Sequence, residues 1–306
     1  MNDQLRRSEP VTAPQIDIVL RDGGRRVAVH RLAEGDSGRT VVVCHPAPGA
    51  GMFDPDPQQT WARNLTLLAA DRPGYGQSDP VPNASWASVD SAVDDLAAML
   101  DRAGCGPVGV VGWSAGGRVA LALAARRPEL IDRVVVLSTP APHEQVPWIP
   151  PDQQAALDAL RGFAPDAAHA VLSQQCAPLI ARDARATDRL SLLAASAADE
   201  SALAIPGARA RLIGMLEAAF VQGVTGLASD IAGYCLQPWG FAPEAVQAKT
   251  LLLYGSKDPV AGSRHGAWWQ KRLPNARLEV GPGAGHLLIL SMWQRALSHL
   301  APGSKR

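Results

Sequence analysis

Two hydrophobic rhythms alternate along the chain: short runs rich in β-branched residues, and stretches in which apolar residues recur every three or four positions. Residues 16–20 and 26–30 flank Asp22-Gly23-Gly24, the pattern of a hairpin. Residues 40–44 (TVVVC) are too continuously apolar to keep one face in water, as a central parallel strand requires, and residues 65–70 form a second such run. Ser85 is placed to cap a helix reaching about Ala103, whose Val89, Ala92, Val93, Leu96, Ala97 and Leu100 trace one stripe. A strand over 108–112, a helix over 115–126 stopped before Pro128, and a strand over 133–137 follow. This βαβα order implies a parallel sheet clad by helices on both faces.

The rhythm breaks near Thr139. Pro140, Pro142, Pro147, Pro150 and Pro151 punctuate the chain, and alanine-rich helical stretches run without a strand signal until Lys249. A strand over 250–254, a helix over 263–272, a strand over 276–280 and a helix over 287–300 then restore the pattern. The expected organisation is a flexible tail over 1–14, an α/β core over 15–140 and 247–306, and a helical cap over 141–246.

Composition narrows the function classes. The 306 residues suffice for one large domain with an appendage. With 29 basic against 29 acidic residues the net charge is zero, which provides no footprint for nucleic acid or an anionic membrane surface. At 47% apolar and 19% charged the chain is ordinary globular material, so global disorder is excluded. No apolar run approaches the ~18 residues of a membrane span. The N-terminal arginine pair is followed by no apolar segment, so a cytoplasmic location is expected. Cys44, Cys105, Cys176 and Cys235 lie far apart without metal-ligand spacing, so reduced thiols and neither metal nor other cofactor are expected.

The chemistry-bearing residues sit where strands end. Gly112-Trp113-Ser114-Ala115-Gly116 lies at a strand-to-helix junction, where a serine must project sharply and the turn leaves no room for side chains two positions either side. Such a hydroxyl opens at the C-terminal edge of the strands, where open α/β sheets bind ligands. Asp258 follows the strand TLLLY in Gly255-Ser256-Lys257-Asp258-Pro259-Val260, and His286 follows the strand LEV. Read singly, each has an ordinary structural role: a small residue in a tight turn, an Asp-Pro turn or N-cap, a capping or buried histidine. Glu144 and Asp152 are the other candidate acids.

Together these motifs resemble the α/β-hydrolase fold family over nearly the whole chain, residues 16–300, the insertion being similar in position and helicity. His45-Pro46-Ala47-Pro48-Gly49 resembles that family's HGxPG loop, with Pro46 where glycine is usual and the amide of Ala47 retained. Asp71-Arg72-Pro73-Gly74-Tyr75-Gly76-Gln77-Ser78 resembles its DxxGxGxS loop, and the Asp258 segment its GxxDxxV acid loop. The resemblance implies Ser114 as nucleophile, His286 as general base and Asp258 as the carboxylate that orients it, in the chain order Ser, Asp, His. It further implies an acyl-enzyme, with the amides of Ala47 and Ala115 receiving the oxyanion. A base of this kind works unprotonated, so the rate is expected to fall on the acid side. His45 is read as a buttress of its loop, Cys44 as a buried inert thiol, and His30, His143, His169, His265 and His299 as structural or solvated.

Candidate pocket residues are Trp113, as pocket floor or packing residue, Met52 and Phe53 beyond the oxyanion loop, and Trp148 and Trp239, which bracket the insertion. Serine at the elbow separates the chain from the epoxide-hydrolase and haloalkane-dehalogenase branches, which place aspartate there. The same triad serves esterases, proline-iminopeptidase-type aminopeptidases, C–C bond hydrolases, acyltransferases and perhydrolases, so the scissile bond stays open. GAGMFDPDP resembles the loop of the proline-iminopeptidase branch, for which Glu200 and Glu217 are the candidate amine readers. The expected partner is a small-molecule acyl substrate, bound by a monomer or homodimer. The alternatives are a ligand receptor, or an acyltransferase or perhydrolase on the same fold.

Overall fold

The computed structural model describes residues 15–82, 89–180 and 188–304; the expected tail over 1–14 and the Ser85 cap lie outside the described residues. The sheet contains β1 (Gln15–Leu20), β2 (Arg26–Ala33), β3 (Thr40–Cys44), β4 (Thr66–Ala70), β5 (Val108–Trp113), β6 (Ile131–Leu137), β7 (Lys249–Gly255) and β8 (Ala276–Gly281). Their spatial order is β1-β2-β4-β3-β5-β6-β7-β8. The hairpin β1–β2 is antiparallel, β2 pairs antiparallel with β4, and every pair from β4 to β8 is parallel.

The helices are α1 (Pro57–Ala62), α2 (Val89–Ala103), α3 (Ala115–Arg126), α4 (Pro151–Asp158), α5 (Pro165–Cys176), α6 (Glu200–Leu203), α7 (Ala208–Ala219), α8 (Thr225–Ile231), α9 (Ser263–Arg272) and α10 (Leu288–Leu300). Helix α1 is too short to show a period in the sequence. It forms because the Asp56 carboxylate accepts the amides of Gln58 and Gln59, both at 3.1 Å, and Pro57 occupies a first-turn position that needs no donor.

Strand alternation decides which helix covers which face. Val41, Val43, Val111, Trp113, Val135, Leu137, Leu251 and Leu253 point into one core with α10. Val42, Cys44, Val110, Val134, Val136, Leu252 and Tyr254 point into the other with α2, α3 and α9. Residues 141–246 contain α4 to α8 and, among the described residues, no strand. The insertion is anchored on the α10 side, where Leu212, Met215, Leu216 and Ala219 of α7 join the sheet core, whereas Leu157, Leu172, Ala228 and Ala232 of α4, α5 and α8 form a satellite cluster.

One buried group gives this fold a pH dependence. His265, fully buried at the start of α9, accepts the Ala141 amide on Nδ1 at 3.1 Å, and burial pulls its pKa from 6.5 down to about 4. Its folded value lies below its unfolded one, so its contribution is complete above pH 6.5 and is lost as the pH falls toward 4, where the unfolded chain takes up a proton the folded chain refuses. The urea midpoint is expected to fall across that window and to fall less steeply in His265→Asn. Equal slopes in the two proteins would refute this assignment.

Candidate active site

Chain direction across the sheet reverses at β3: the connection to β4 runs one way and that to β5 the other. Such a switch point opens a crevice beyond the carboxyl ends of the strands. Ser114 stands at this crevice between the end of β5 and the start of α3, with φ 53° and ψ −122°. A non-glycine residue keeps such a backbone only where its surroundings over-determine it. Here the Ser114 amide donates to Leu137 O at 2.8 Å, and Ser114 O accepts from Thr139 Oγ1 at 2.8 Å and from the Gly117 amide at 3.1 Å. A Cβ on Gly112 would overlap the Gly116 carbonyl, and one on Gly116 would overlap the Cys44 carbonyl. Both glycines of the motif are therefore required by close backbone approach.

Asp258 lies beyond the end of β7. Its Oδ1 accepts the amides of Val260 and Ala261, each at 2.9 Å, and its Oδ2 accepts His286 Nδ1–H at 2.8 Å. Burial works against the carboxylate, but the His286 ring, its hydrogen bond and the two amides outweigh burial and hold the carboxyl below its ordinary range. With the proton on Nδ1, His286 keeps a lone pair on Nε2. The histidine backbone is clamped as well: Trp113 Nε1–H donates to His286 O at 3.0 Å, and the next amide, Leu287 N–H, donates to Asp199 Oδ1 at 2.8 Å. Asp199 comes from the insertion and is 1% exposed, with its Oδ2 accepting from Ser196 N at 3.0 Å and Ser196 Oγ at 3.1 Å.

The loop after β3 is built around His45 and Arg72. The Arg72 amide donates to His45 Nε2 at 3.1 Å, so the ring proton sits on Nδ1, which donates to Pro46 O at 2.8 Å. Burial, reinforced by the Arg72 charge, holds His45 well below the usual histidine range, so it is a neutral buttress. The Arg72 guanidinium donates to the carbonyls of His45 and Pro46 and, from Nη2, to Asp230 Oδ2 of α8 at 2.6 Å. Arg72 and Asp230 are both buried.

Ser114, His286, Ala47 and Ala115 line one cavity of about 210 Å³, walled on the insertion side by Leu193, Leu227 and Ile231. Ala115 is the first residue of α3, whose amide has no intrahelical partner. Of the five residues proposed for the pocket, Trp148 lines this cavity. The other four do not. Trp113 and Phe53 are buried in the sheet core, their rings 5.9 Å apart, because odd-numbered positions of β5 face α10. Met52 is 38% exposed outside it. Trp239 stacks on Trp269 at 5.8 Å and borders a neighbouring cavity of about 400 Å³. Glu144 and Asp152 are exposed, Glu144 lying 3.7 Å from Arg161, and neither lines the Ser114 cavity. The Cys44 thiol is pushed up to about 12 by burial, which leaves it inert.

A mostly parallel sheet, a serine at a strained strand-to-helix elbow and a carboxylate–imidazole pair at neighbouring strand ends define an α/β hydrolase. Residues 39–291 match the model of the alpha/beta hydrolase fold family, and the chain belongs to that family. It is 28% identical over 222 residues to a pimeloyl-(acyl-carrier protein) methyl ester esterase of Nitrosomonas europaea, covering 69% of this chain and 78% of that one. It is 52% identical over 50 residues to lipase LipV of Mycobacterium tuberculosis, 16% of this chain and 19% of that one. A solved hydrolase from Pseudomonas aeruginosa superposes with a TM-score of 0.71 at 20% identity, over 95% of this chain and 100% of that one.

Four residues that shape the site escaped the sequence reading: Arg72, Arg118, Asp199 and Asp230. Arg72 lay inside a recognised motif, and Arg118 interrupts the otherwise apolar run AGGRVALALAA, a signal that was available. Asp230 carried none, its partner lying 158 residues away, and Asp199 showed only the Ser196-Asp199 capping-box spacing, the contact that brings it to the site being with Leu287, 88 residues away.

Proposed function

We propose that the protein is a serine hydrolase that cleaves a small-molecule ester through an acyl-enzyme, with residues 141–246 acting as its cap. The observation that carries this reading is the 2.8 Å Asp258–His286 hydrogen bond, made by a histidine that lines one cavity with Ser114 and with both candidate oxyanion residues. His286 Nε2 takes the Ser114 proton as Oγ attacks the ester carbonyl, and Asp258 holds the tautomer and stabilises the imidazolium. The Ala47 and Ala115 amides receive the oxyanion, each donor contributing about 3 kcal/mol. His286 then returns the proton to the leaving alcohol, and water, activated by the same base, releases the acid. These steps draw on no group beyond these side chains, two amides and water.

An ester is preferred over the other acyl bonds because the relative from Nitrosomonas europaea and a second from Aromatoleum aromaticum, 28% identical over 192 residues, are named methyl ester esterases. The test is a fluorophosphonate probe alongside short p-nitrophenyl esters. Covalent labelling with steady turnover is expected. Labelling with negligible turnover and tight ligand binding would instead favour a receptor, and neither labelling nor turnover at any acyl length would remove the proposal.

A further inference from the structure

Among the described residues, Arg118 is a buried cation that no carboxylate meets directly; Asp230 acts on its charge only at a distance. It lies one turn into α3 from Ser114, about 6 Å along the axis, and helical side chains lean back toward the N-terminus, which directs it to the Ser114 end of the helix. It is 2% exposed and yet lines both the 210 Å³ cavity that holds Ser114 and His286 and the adjoining 400 Å³ cavity.

The guanidinium sits within an aromatic cage, 4.1 Å from the Trp239 ring centroid, 4.9 Å from that of Tyr234 and 5.7 Å from that of Trp148. Its Nη1 reaches the Tyr234 carbonyl at 3.5 Å, and its Nε has no hydrogen-bond partner. The other charges around the two cavities are matched. Asp230 is held by Arg72 at 2.6 Å and the Asp258 carboxylate by the His286 Nδ1–H at 2.8 Å, while Glu144 lies 3.7 Å from Arg161. Among the described residues Arg118 has no carboxylate partner. Burial lowers its pKa from the ordinary arginine value, but a guanidinium stays charged in a folded protein.

Aromatic faces offset part of the cost of burying a cation, but they accept none of its in-plane N–H donors. A guanidinium with unused donors at a cavity wall has the planar fork that matches a carboxylate. We propose that Arg118 is a carboxylate-binding subsite, so that the ester cleaved at Ser114 carries a free carboxylate on its acyl or its alcohol part. The substrate class follows: hemiesters of dicarboxylic acids, or acyl esters of hydroxy acids. The inference rests on the serine-hydrolase reading for its chemistry, but the binding step is independent of that reading.

Two substrate series separate the sources of the carboxylate. Monomethyl esters from succinate to suberate, each paired with its dimethyl ester, place the charge on the acyl side. Acetylated hydroxy acids, paired with their methyl esters, place it on the alcohol side. The wild-type protein is expected to favour the charged member in one series. Arg118→Gln is expected to lower kcat/KM for that member about 100-fold and for its neutral twin by less than about threefold, with Arg118→Lys in between because it keeps charge without the fork. The neutral ester also reports whether a variant has folded. No charged preference in the wild type, or an equal loss on both members, would leave Arg118 a packing residue and overturn the proposal.

A second arm needs no turnover. Tryptophan fluorescence of Ser114→Ala, read through Trp148 and Trp239, is titrated with the free dicarboxylates and hydroxy acids. Saturable binding that disappears in Ser114→Ala/Arg118→Gln supports the subsite even if every ester proves inert, in which case the serine-hydrolase reading alone has failed. No binding, or binding that survives the second substitution, overturns the subsite.

Discussion

On the proposed acyl-enzyme mechanism, Ser114→Ala is expected to lower kcat on the best ester by about 10⁶, because nucleophile and base would act as one unit. A residual rate of about 10³- to 10⁴-fold over the uncatalysed one should persist, supplied on this mechanism by the Ala47 and Ala115 amides and by substrate positioning. Ser114→Ala/His286→Ala should be no worse than the single variant, since the second change removes a base with nothing left to deprotonate. The substitution deletes one oxygen and leaves the backbone contacts of Ser114 with Leu137, Gly117 and Thr139 in place, so the melting temperature should stay within a few degrees. Initial rates and fluorophosphonate labelling, read beside the thermal scan, check this. A variant retaining more than a tenth of wild-type kcat would show that another group is the nucleophile.

The parts of this protein that were legible in its sequence are those set by local rules. Continuous apolar runs marked the strands, and the glycines around Ser114 marked a place where β5, α3 and the loop after β3 come too close for a Cβ. The order of elements then placed Ser114, Asp258 and His286 at strand ends on the same side of the sheet. The pocket was less legible, because an aromatic residue near a motif says nothing about which face of a strand it occupies. Trp113 illustrates this: the alternation that puts Val111 in the α10-side core puts Trp113 there too, where its indole holds the His286 carbonyl. Least legible were the ties between insertion and core. Arg72–Asp230 and Asp199–Leu287 join positions far apart along the chain, and neither leaves a periodic trace. Arg72 holds the His45 and Pro46 carbonyls beside Ala47, and Asp199 holds the amide next to His286, so on the proposed function the insertion would position the chemistry as well as cover it.

Asp230→Ala should consequently be the most destabilising single change at the site, at about 3 to 5 kcal/mol, since it leaves the Arg72 cation buried without its counter-charge. The two loop carbonyls that Arg72 also meets are neutral and cannot replace a carboxylate. In a protein of this size the melting temperature should fall by about 10 °C. Asp230→Asn, which keeps an acceptor, should cost less, and Arg72→Met/Asp230→Leu should cost less than Asp230→Ala, because the double change removes both charges together. Arg161→Ala is the surface control: its partners Glu144 and Asp158 are exposed, and its loss should cost no more than about 1 kcal/mol. Denaturant unfolding of the four variants and the wild type gives the comparison. An Asp230→Ala cost near that of the surface control would mean that water reaches the Arg72 guanidinium. The loop after β3 would then depend on its neutral hydrogen bonds alone to hold the Ala47 amide where the proposed mechanism places the oxyanion.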